Sequence, residues 1–155
     1  MKTLRFFVIL MLAMMMLNSC DNMTTSFGLN IGGSDFNRLG SNGQFELVPG
    51  NVFHQGEVIY MMLFDVTGFK PGEDNLHMLD MDMVIKDANG KEIYSENEML
   101  GENGHVALPN NTAANPHVSF NPSKDMPAGE YTFYVKIYDK VGGGHASVSK
   151  KFTYQ

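Results

Sequence analysis

Residues 130–154 read EYTFYVKIYDKVGGGHASVSKKFTY, and this stretch decides the fold class. Apolar residues occupy alternate positions on both sides of the triple glycine, namely Tyr131, Phe133, Val135 and Ile137 before it and Ala146, Val148 and Phe152 after it. Side chains two positions apart lie on the same face of a β-strand, so each half can present one apolar face to a common core. Glycine permits the tight reversal between the halves. The stretch therefore predicts two antiparallel strands joined as a hairpin.

The same alternation extends outward along the chain, in residues 58–66 and 79–85. The second of these runs leads into Asp87-Ala88-Asn89-Gly90, where Asn-Gly is typical of a tight hairpin turn. Shorter strands are expected at residues 45–48, 92–95, 106–108 and 117–121, and no stretch from Phe45 onward shows convincing helical periodicity. The pattern predicts an all-β protein, an antiparallel sandwich of about seven strands.

The N-terminal segment has a different character. Lys2 and Arg5 precede an unbroken apolar run over residues 6–17. A helix of that length would rise about 18 Å, well short of the roughly 30 Å of a bilayer's hydrocarbon core. We therefore expect residues 1–19 to be a cleaved signal peptide.

The residues that end this segment resemble the lipobox of bacterial lipoproteins. Leu17-Asn18-Ser19-Cys20 has Leu three positions before the cysteine and a small residue directly before it, although Asn18 departs from the usual pattern. Cys20 is the only cysteine of the chain. The resemblance implies a lipid-modified (palmitoylated) Cys20 and a membrane anchor in the cell envelope of a Gram-negative-type bacterium. It leaves open the outer or the inner membrane, and the periplasmic or the external face.

The charge balance argues against nucleic acid as a partner. The formal net charge is −6 and becomes more negative once Lys2 and Arg5 are removed. Phosphate backbones are bound by clustered cations, whereas Lys150-Lys151 is the only adjacent basic pair in this chain.

Composition sets the expected domain boundaries. Residues 20–44 are rich in Asn, Ser, Thr and Gly, which predicts a lipidated cysteine followed by a flexible leader. Residues 45–155 are expected to form the sandwich. Phe27, Leu29 and Ile31 alternate within the leader, so this segment could also dock as an edge strand.

Residues 50–155 resemble the immunoglobulin-like and fibronectin III-like domains of exported bacterial proteins. The matching stretches are Gln55-Gly56-Glu57, Lys86-Asp87-Ala88-Asn89-Gly90-Lys91 and Pro127-Ala128-Gly129-Glu130-Tyr131. The last is similar to a tyrosine corner, which implies a bond from the Tyr131 hydroxyl to upstream backbone. The chain has neither the Trp nor the Cys pair of antibody domains. The resemblance indicates a fold and supplies no activity.

Motifs for catalysis are missing from the sequence. It contains no Gly-x-Ser-x-Gly, His-Glu-x-x-His or phosphate-binding glycine loop, so we expect a protein that is not an enzyme and needs no cofactor. His77 and Met78 are weak candidates for a soft metal ion. Asp80 and Asp82 share a strand face and are expected to be solvated. Glu73, Asp74 and Asn75 could join them around a calcium ion, although no calcium loop matches.

Two strand faces are candidates for contact with a partner. Around Met61 both faces of one strand are apolar, with Ile59, Met61 and Leu63 opposing Tyr60, Met62 and Phe64. The face that is not in the core is either covered by Phe27, Leu29 and Ile31, which we favour, or left as a binding patch. The other candidate is the row formed by Tyr134, Lys136 and Tyr138.

Two functions follow from these observations. The favoured one is a lipid-anchored envelope protein that acts as a non-catalytic binding or assembly module for a protein or a glycan. The alternative is a periplasmic protein that binds a soft metal or another cation. The sequence leaves the oligomeric state open.

Overall fold

Eleven β-strands run along the part of the chain that the computed structural model describes, residues 22–108 and 114–155, and the longest of them follow the alternation of apolar residues. The predicted signal peptide and Cys20 lie outside the described residues. The strands are β1 (Asn22–Phe27), β2 (Gly33–Leu39), β3 (Phe45–Leu47), β4 (Val52–Phe53), β5 (Ile59–Phe64), β6 (His77–Asp87), β7 (Glu92–Glu96), β8 (His105–Val106), β9 (His117–Phe120), β10 (Gly129–Asp139) and β11 (His145–Tyr154). Short 3-10 turns occur at Pro49–Asn51 and Gly101–Gly104. None of the described helical segments is long and apolar enough to cross a membrane.

The strands form two sheets. The larger sheet has the order β1-β11-β10-β6-β7, with β4 added beside β11 and β8 beside β6. The smaller sheet has the order β3-β2-β5-β9. All pairings are antiparallel except the two-residue pairing of β4 with β11. The predicted all-β sandwich is confirmed, with more strands than the seven expected.

The core lies between the inner faces of the two sheets. Phe36 of β2 is fully buried at its centre, and its ring centroid lies 5.7 Å from that of Phe53 and 5.8 Å from those of Phe133 and Phe152. Three of these rings come from strands of the large sheet, so Phe36 joins the two sheets. Aromatic packing of this kind contributes beyond area burial alone.

The predicted start of the domain at residue 45 is wrong, and most of the expected flexible leader is structured. β1 pairs with β11 from Asn22 to Phe27, and β2 is an inner strand of the small sheet. Leu29 and Ile31 are buried in the core, together with Phe36. The polar composition misleads because β1 gains its backbone hydrogen bonds from β11, which local sequence does not reveal.

The predicted turns are confirmed. Gly90 has φ of +79° between β6 and β7, and the Asp87 amide donates to the Lys91 carbonyl over 2.9 Å. Gly143 has φ of +72° in the reversal between β10 and β11. The Tyr131 hydroxyl donates to the Pro127 carbonyl oxygen over 2.7 Å, which is the upstream bond expected from the tyrosine-corner resemblance.

Candidate functional site: the outer faces of the two sheets

The first candidate partner-binding set is internal. Ile59, Met61 and Leu63 of β5 are fully buried between the sheets. They cannot contact a partner in the folded domain, so their assignment as partner-binding residues is wrong. The alternation along β5 correctly placed Ile59, Met61 and Leu63 on one face of the strand and the residues between them on the other. It could not show which of the two faces points into the core.

The opposite face of β5 forms the centre of an aromatic surface. Tyr60, Met62 and Phe64 are half-buried there. Phe45 of β3 lies over the same face, with its ring centroid 5.1 Å from that of Tyr60 and 5.1 Å from that of His117 of β9. We call the surface formed by Phe45, Tyr60, Met62, Phe64 and His117 the aromatic face.

Exposed leucines extend the aromatic face toward the edge strand β3. Leu39 and Leu47 are 53% and 59% exposed, and Phe45 is 39% exposed. The charged residue opposite Met62 in the β2–β5 pairing is Asp35, and its carboxylate is held by the Lys150 ammonium at 3.0 Å. The face is therefore mainly apolar and aromatic, with the buried Asn37 opposite Tyr60 and the ion-paired Asp35 as polar residues beside the rings.

The favoured cover for this face does not lie on it. Leu29 and Ile31 enter the core, and Phe27 is 68% exposed on the large sheet, with its ring 5.7 Å from that of His145. The expectation of intramolecular cover by these three residues is wrong because β1 joins the large sheet and not the small one.

The second predicted surface, on the outer face of the large sheet, is largely engaged in internal contacts. The Tyr138 hydroxyl donates to Asp82. The ammonium nitrogens of Lys136 and Lys140 lie 4.7 Å and 5.6 Å from the centroid of the Tyr138 ring. Burial, followed by the hydrogen bond to Asp82, raises the pKa of Tyr138, so the phenol remains a donor at neutral pH.

Asp80 is not solvated, contrary to expectation, and Asp82 is half-buried. Asp80 is buried, and its carboxylate accepts the amides of Met81 at 2.8 Å and Leu100 at 3.1 Å. Asp82 accepts the amide of Glu98 at 3.0 Å. The two carboxylates therefore hold the segment that follows β7 against β6, a role that depends on backbone amides distant in sequence.

A lysine completes this network. The Lys140 ammonium lies 3.5 Å from Asp80 and 3.1 Å from Glu98. Burial raises the pKa of Asp80, but the amides of Leu100 and Met81 and the charge of Lys140 together lower it below its usual value. Tyr134 is half-buried beside the network, and its hydroxyl has no hydrogen bond within the described ranges. A partner-binding role for Tyr134, Lys136 and Tyr138 stays a prediction.

The two metal-ligand candidates point to opposite sides of β6. His77 is buried, and its Nδ1 accepts the Leu108 amide at 3.4 Å, while Met78 is half-buried on the other face. Within residues 22–108 and 114–155, no three His, Cys, Asp or Glu side chains come together in a way that could hold a metal ion. Glu73 and Asp74 lie in an exposed loop, where Asp74 pairs with His105 at 2.9 Å, and they do not join Asp80 or Asp82.

Comparisons with known proteins identify a fold and no family. No protein-family model and no curated protein matches the chain. The structure is similar to a crystal structure of the C-terminal domain of wzt, with a TM-score of 0.58, 12% identity, and coverage of 88% of this chain and 80% of that chain. The chain is a two-sheet β-sandwich. At that identity the likeness concerns the fold alone.

Phe45 and His117 are the surface residues that the sequence did not indicate. They lie on short strands at opposite edges of the small sheet, and their rings meet above β2 and β5. Their isolation in sequence conceals them, because only sheet order brings them together. The sequence did contain one indication of this surface, the second apolar face of β5, against which Phe45 and His117 pack.

Proposed function

We propose that this protein is a lipid-anchored cell-envelope protein of the immunoglobulin-like sandwich type. It acts as a non-catalytic binding or assembly module that holds an envelope protein or glycan on the aromatic face. The observation that carries this proposal is the cluster of Phe45, Tyr60 and His117 rings on an outer sheet face whose Asp35 carboxylate is already paired with Lys150.

Aromatic side chains suit this role for physical reasons. Tyrosine combines a large apolar ring with a polar hydroxyl and loses little conformational entropy when it is fixed. Such residues dominate the energetics of interfaces, whereas scattered surface charges contribute little. An apolar outer face also carries a cost in solubility, which a binding function would offset.

The position of β1 sets how far the folded domain can lie from the proposed anchor. This strand begins at Asn22, so only one residue, Asp21, would separate a lipid-bearing Cys20 from the edge of the large sheet. The two residue steps from Cys20 to Asn22 span about 7 Å at most in an extended chain. The proposed anchor therefore holds the domain close to the membrane, where a flexible leader of some two dozen residues would have given it a longer reach.

Site-specific photo-crosslinking in intact cells tests the binding role. A photoreactive phenylalanine analogue replaces Met62 in the aromatic face or Val84 on the outer face of the large sheet; both residues are half-buried. We expect a discrete crosslinked adduct from position 62, and loss of that adduct when Tyr60→Ala is added. Equal adducts from both positions, or none from position 62, would count against the aromatic face as the binding surface.

Fractionation tests the anchor separately. The Cys20→Ala protein should leave the membrane fraction and lack the lipid mass that the wild type carries after globomycin-sensitive processing. Lipid-modified mature protein from the Cys20→Ala gene would contradict the anchor while leaving the binding surface untouched.

A further inference from the structure

A cleft separate from the aromatic face opens where the edges of the two sheets meet. β7 ends the large sheet and β9 ends the small sheet on the same side of the sandwich, and the Tyr94 and Phe120 rings approach to 5.2 Å between them. The cleft has a volume of about 490 Å³. That volume falls within the range of specific ligand sites.

The walls of the cleft combine aromatic rings with negative charge. Tyr94, Phe120 and Tyr131 supply the rings, and Asp87 and Asp125 supply the carboxylates. No lysine or arginine is among the described residues that line it. Anions are disfavoured by this lining, whereas a cation gains from both the carboxylates and the ring faces.

The two tyrosine hydroxyls of the cleft are engaged in hydrogen bonds and carry no charge, so the charge of its lining comes from the carboxylates of Asp87 and Asp125. The Tyr131 hydroxyl is bound to the Pro127 carbonyl, and the Tyr94 hydroxyl donates to Glu96 at 2.8 Å. Burial and then the charge of Asp87 raise the pKa of Tyr131, so this phenol remains neutral. The negative charge therefore resides on Asp87, Asp125 and the neighbouring glutamates of β7.

β7 itself adds an unpaired strand edge beside the cleft. Its five residues, Glu92–Glu96, are all exposed, and within the described residues it pairs with β6 alone. Natural edge strands are commonly protected by lysine, proline or a covering loop. Here the edge carries Glu92, which lies opposite Lys86 of β6, and Glu96, which lies opposite the uncharged Met83, so the Glu96 end repels an acidic strand and attracts a basic one.

We propose that β7 and this cleft bind an extended basic peptide segment of a partner protein. The segment adds as a strand along the edge of β7, and one of its lysine or arginine side chains enters the cleft between the tyrosines and the carboxylates. Main-chain hydrogen bonds supply affinity in this mode of recognition, and the cleft supplies specificity. The negative charge of the protein favours the encounter.

Nuclear magnetic resonance titration of the purified full-length protein in detergent tests the proposal. The probe is acetyl-Lys-Val-Lys-Val-Lys-amide, and acetyl-Glu-Val-Glu-Val-Glu-amide is its matched control. We expect the lysine peptide to shift the amide signals of residues 92–96 and 121–127, with weaker binding at 0.5 M salt, because salt screens these charges. The glutamate peptide should leave the signals in place.

Two further comparisons separate strand addition from simple charge attraction. Two lysine peptides are compared, each N-methylated on one of the two alternating sets of backbone amides. They should differ in affinity, since only one set of amides faces β7 when the peptide adds as a strand. Asp125→Asn and Asp87→Asn should each weaken binding about two- to fivefold. Glu73→Gln, the same loss of charge in an exposed loop, should not.

Several results would overturn the proposal. These are the absence of shifts at millimolar lysine peptide, equal binding of the two N-methylated peptides, or shifts confined to another face. A neutral oligosaccharide such as maltotriose that shifts the cleft signals while the lysine peptide does not would assign the cleft to a glycan. None of these results depends on the aromatic face or on Cys20.

Discussion

The outer faces of the two sheets both carry aromatic residues, yet they differ in what those residues contact. On the large sheet, Tyr138 is hydrogen-bonded to Asp82, and the ammonium groups of Lys136 and Lys140 lie close to its ring. On the small sheet, Phe45, Tyr60 and His117 contact one another. A surface tyrosine in a strand is therefore no guide to binding until its partners are known, and the face with fewer internal bonds is the better binding candidate.

The largest expected effect separates the two faces of β5. Met61→Ala should lower the free energy of unfolding by about 3 kcal/mol, because it leaves a cavity in the core. Met62→Ala should cost less than about 1 kcal/mol, since Met62 lies on the aromatic face and a surface truncation leaves no cavity. Denaturant unfolding of both variants measures the difference. Equal costs would show that another part of the molecule covers the aromatic face.

The carboxylate network of the large sheet should give the next effect. Asp80→Ala removes the acceptor for the Met81 and Leu100 amides and the partner of Lys140, so a loss of about 2 kcal/mol is expected. Glu73→Ala, in an exposed loop, should stay within about 0.5 kcal/mol. Hydrogen exchange should also show faster exchange of the Leu100 amide in Asp80→Ala. Unchanged protection there would mean that Asp80 does not hold this segment.

A smaller effect distinguishes the two tyrosines on the outer face of β10. Tyr138→Phe loses the bond to Asp82 and should cost about 1 kcal/mol. Tyr134→Phe should be close to neutral, because its hydroxyl makes no such bond within the described residues. Thermal or denaturant unfolding of the pair checks this ranking. A larger loss of stability from Tyr134→Phe than from Tyr138→Phe would contradict the view that only the Tyr138 hydroxyl is engaged on this face.

The smallest effect is a pH dependence that comes from Asp80 of the large sheet. The folded pKa of Asp80 lies below the ordinary value of 3.8 despite its burial, because amide hydrogen bonds and Lys140 favour the carboxylate. Its contribution is therefore present above pH 3.8 and is lost as the pH falls through the lower folded pKa. Asp80→Asn should flatten this part of the stability profile, while Tyr60→Phe on the aromatic face should leave it unchanged. Parallel profiles for wild type and Asp80→Asn would contradict the lowered pKa.

Strands with strong alternation were predictable from the sequence, and strands held by their neighbours were not. β5, β6, β10 and β11 lie where the alternation placed them, and the Asn89-Gly90 turn follows from backbone sterics. β1 was missed because its polar residues carry no strand pattern and its stability comes from pairing with β11. β2 was missed because Phe36 is an isolated aromatic within a polar segment, and only its three ring partners show why it is buried.

The sequence alone determined the class of fold, the main turns, and which side chains share a face on β5, β6, β10 and β11, because a period of two and the φ of a turn are local properties. Tertiary structure alone decided which face of β5 is internal, which acidic residues bind amides, and which rings meet on the aromatic face. These outcomes depend on sheet order, which brings together residues far apart in the chain. The alternation in residues 130–154 thus predicted the central hairpin of a sandwich, while β1 and β2, added from the N-terminal segment, completed the two sheets.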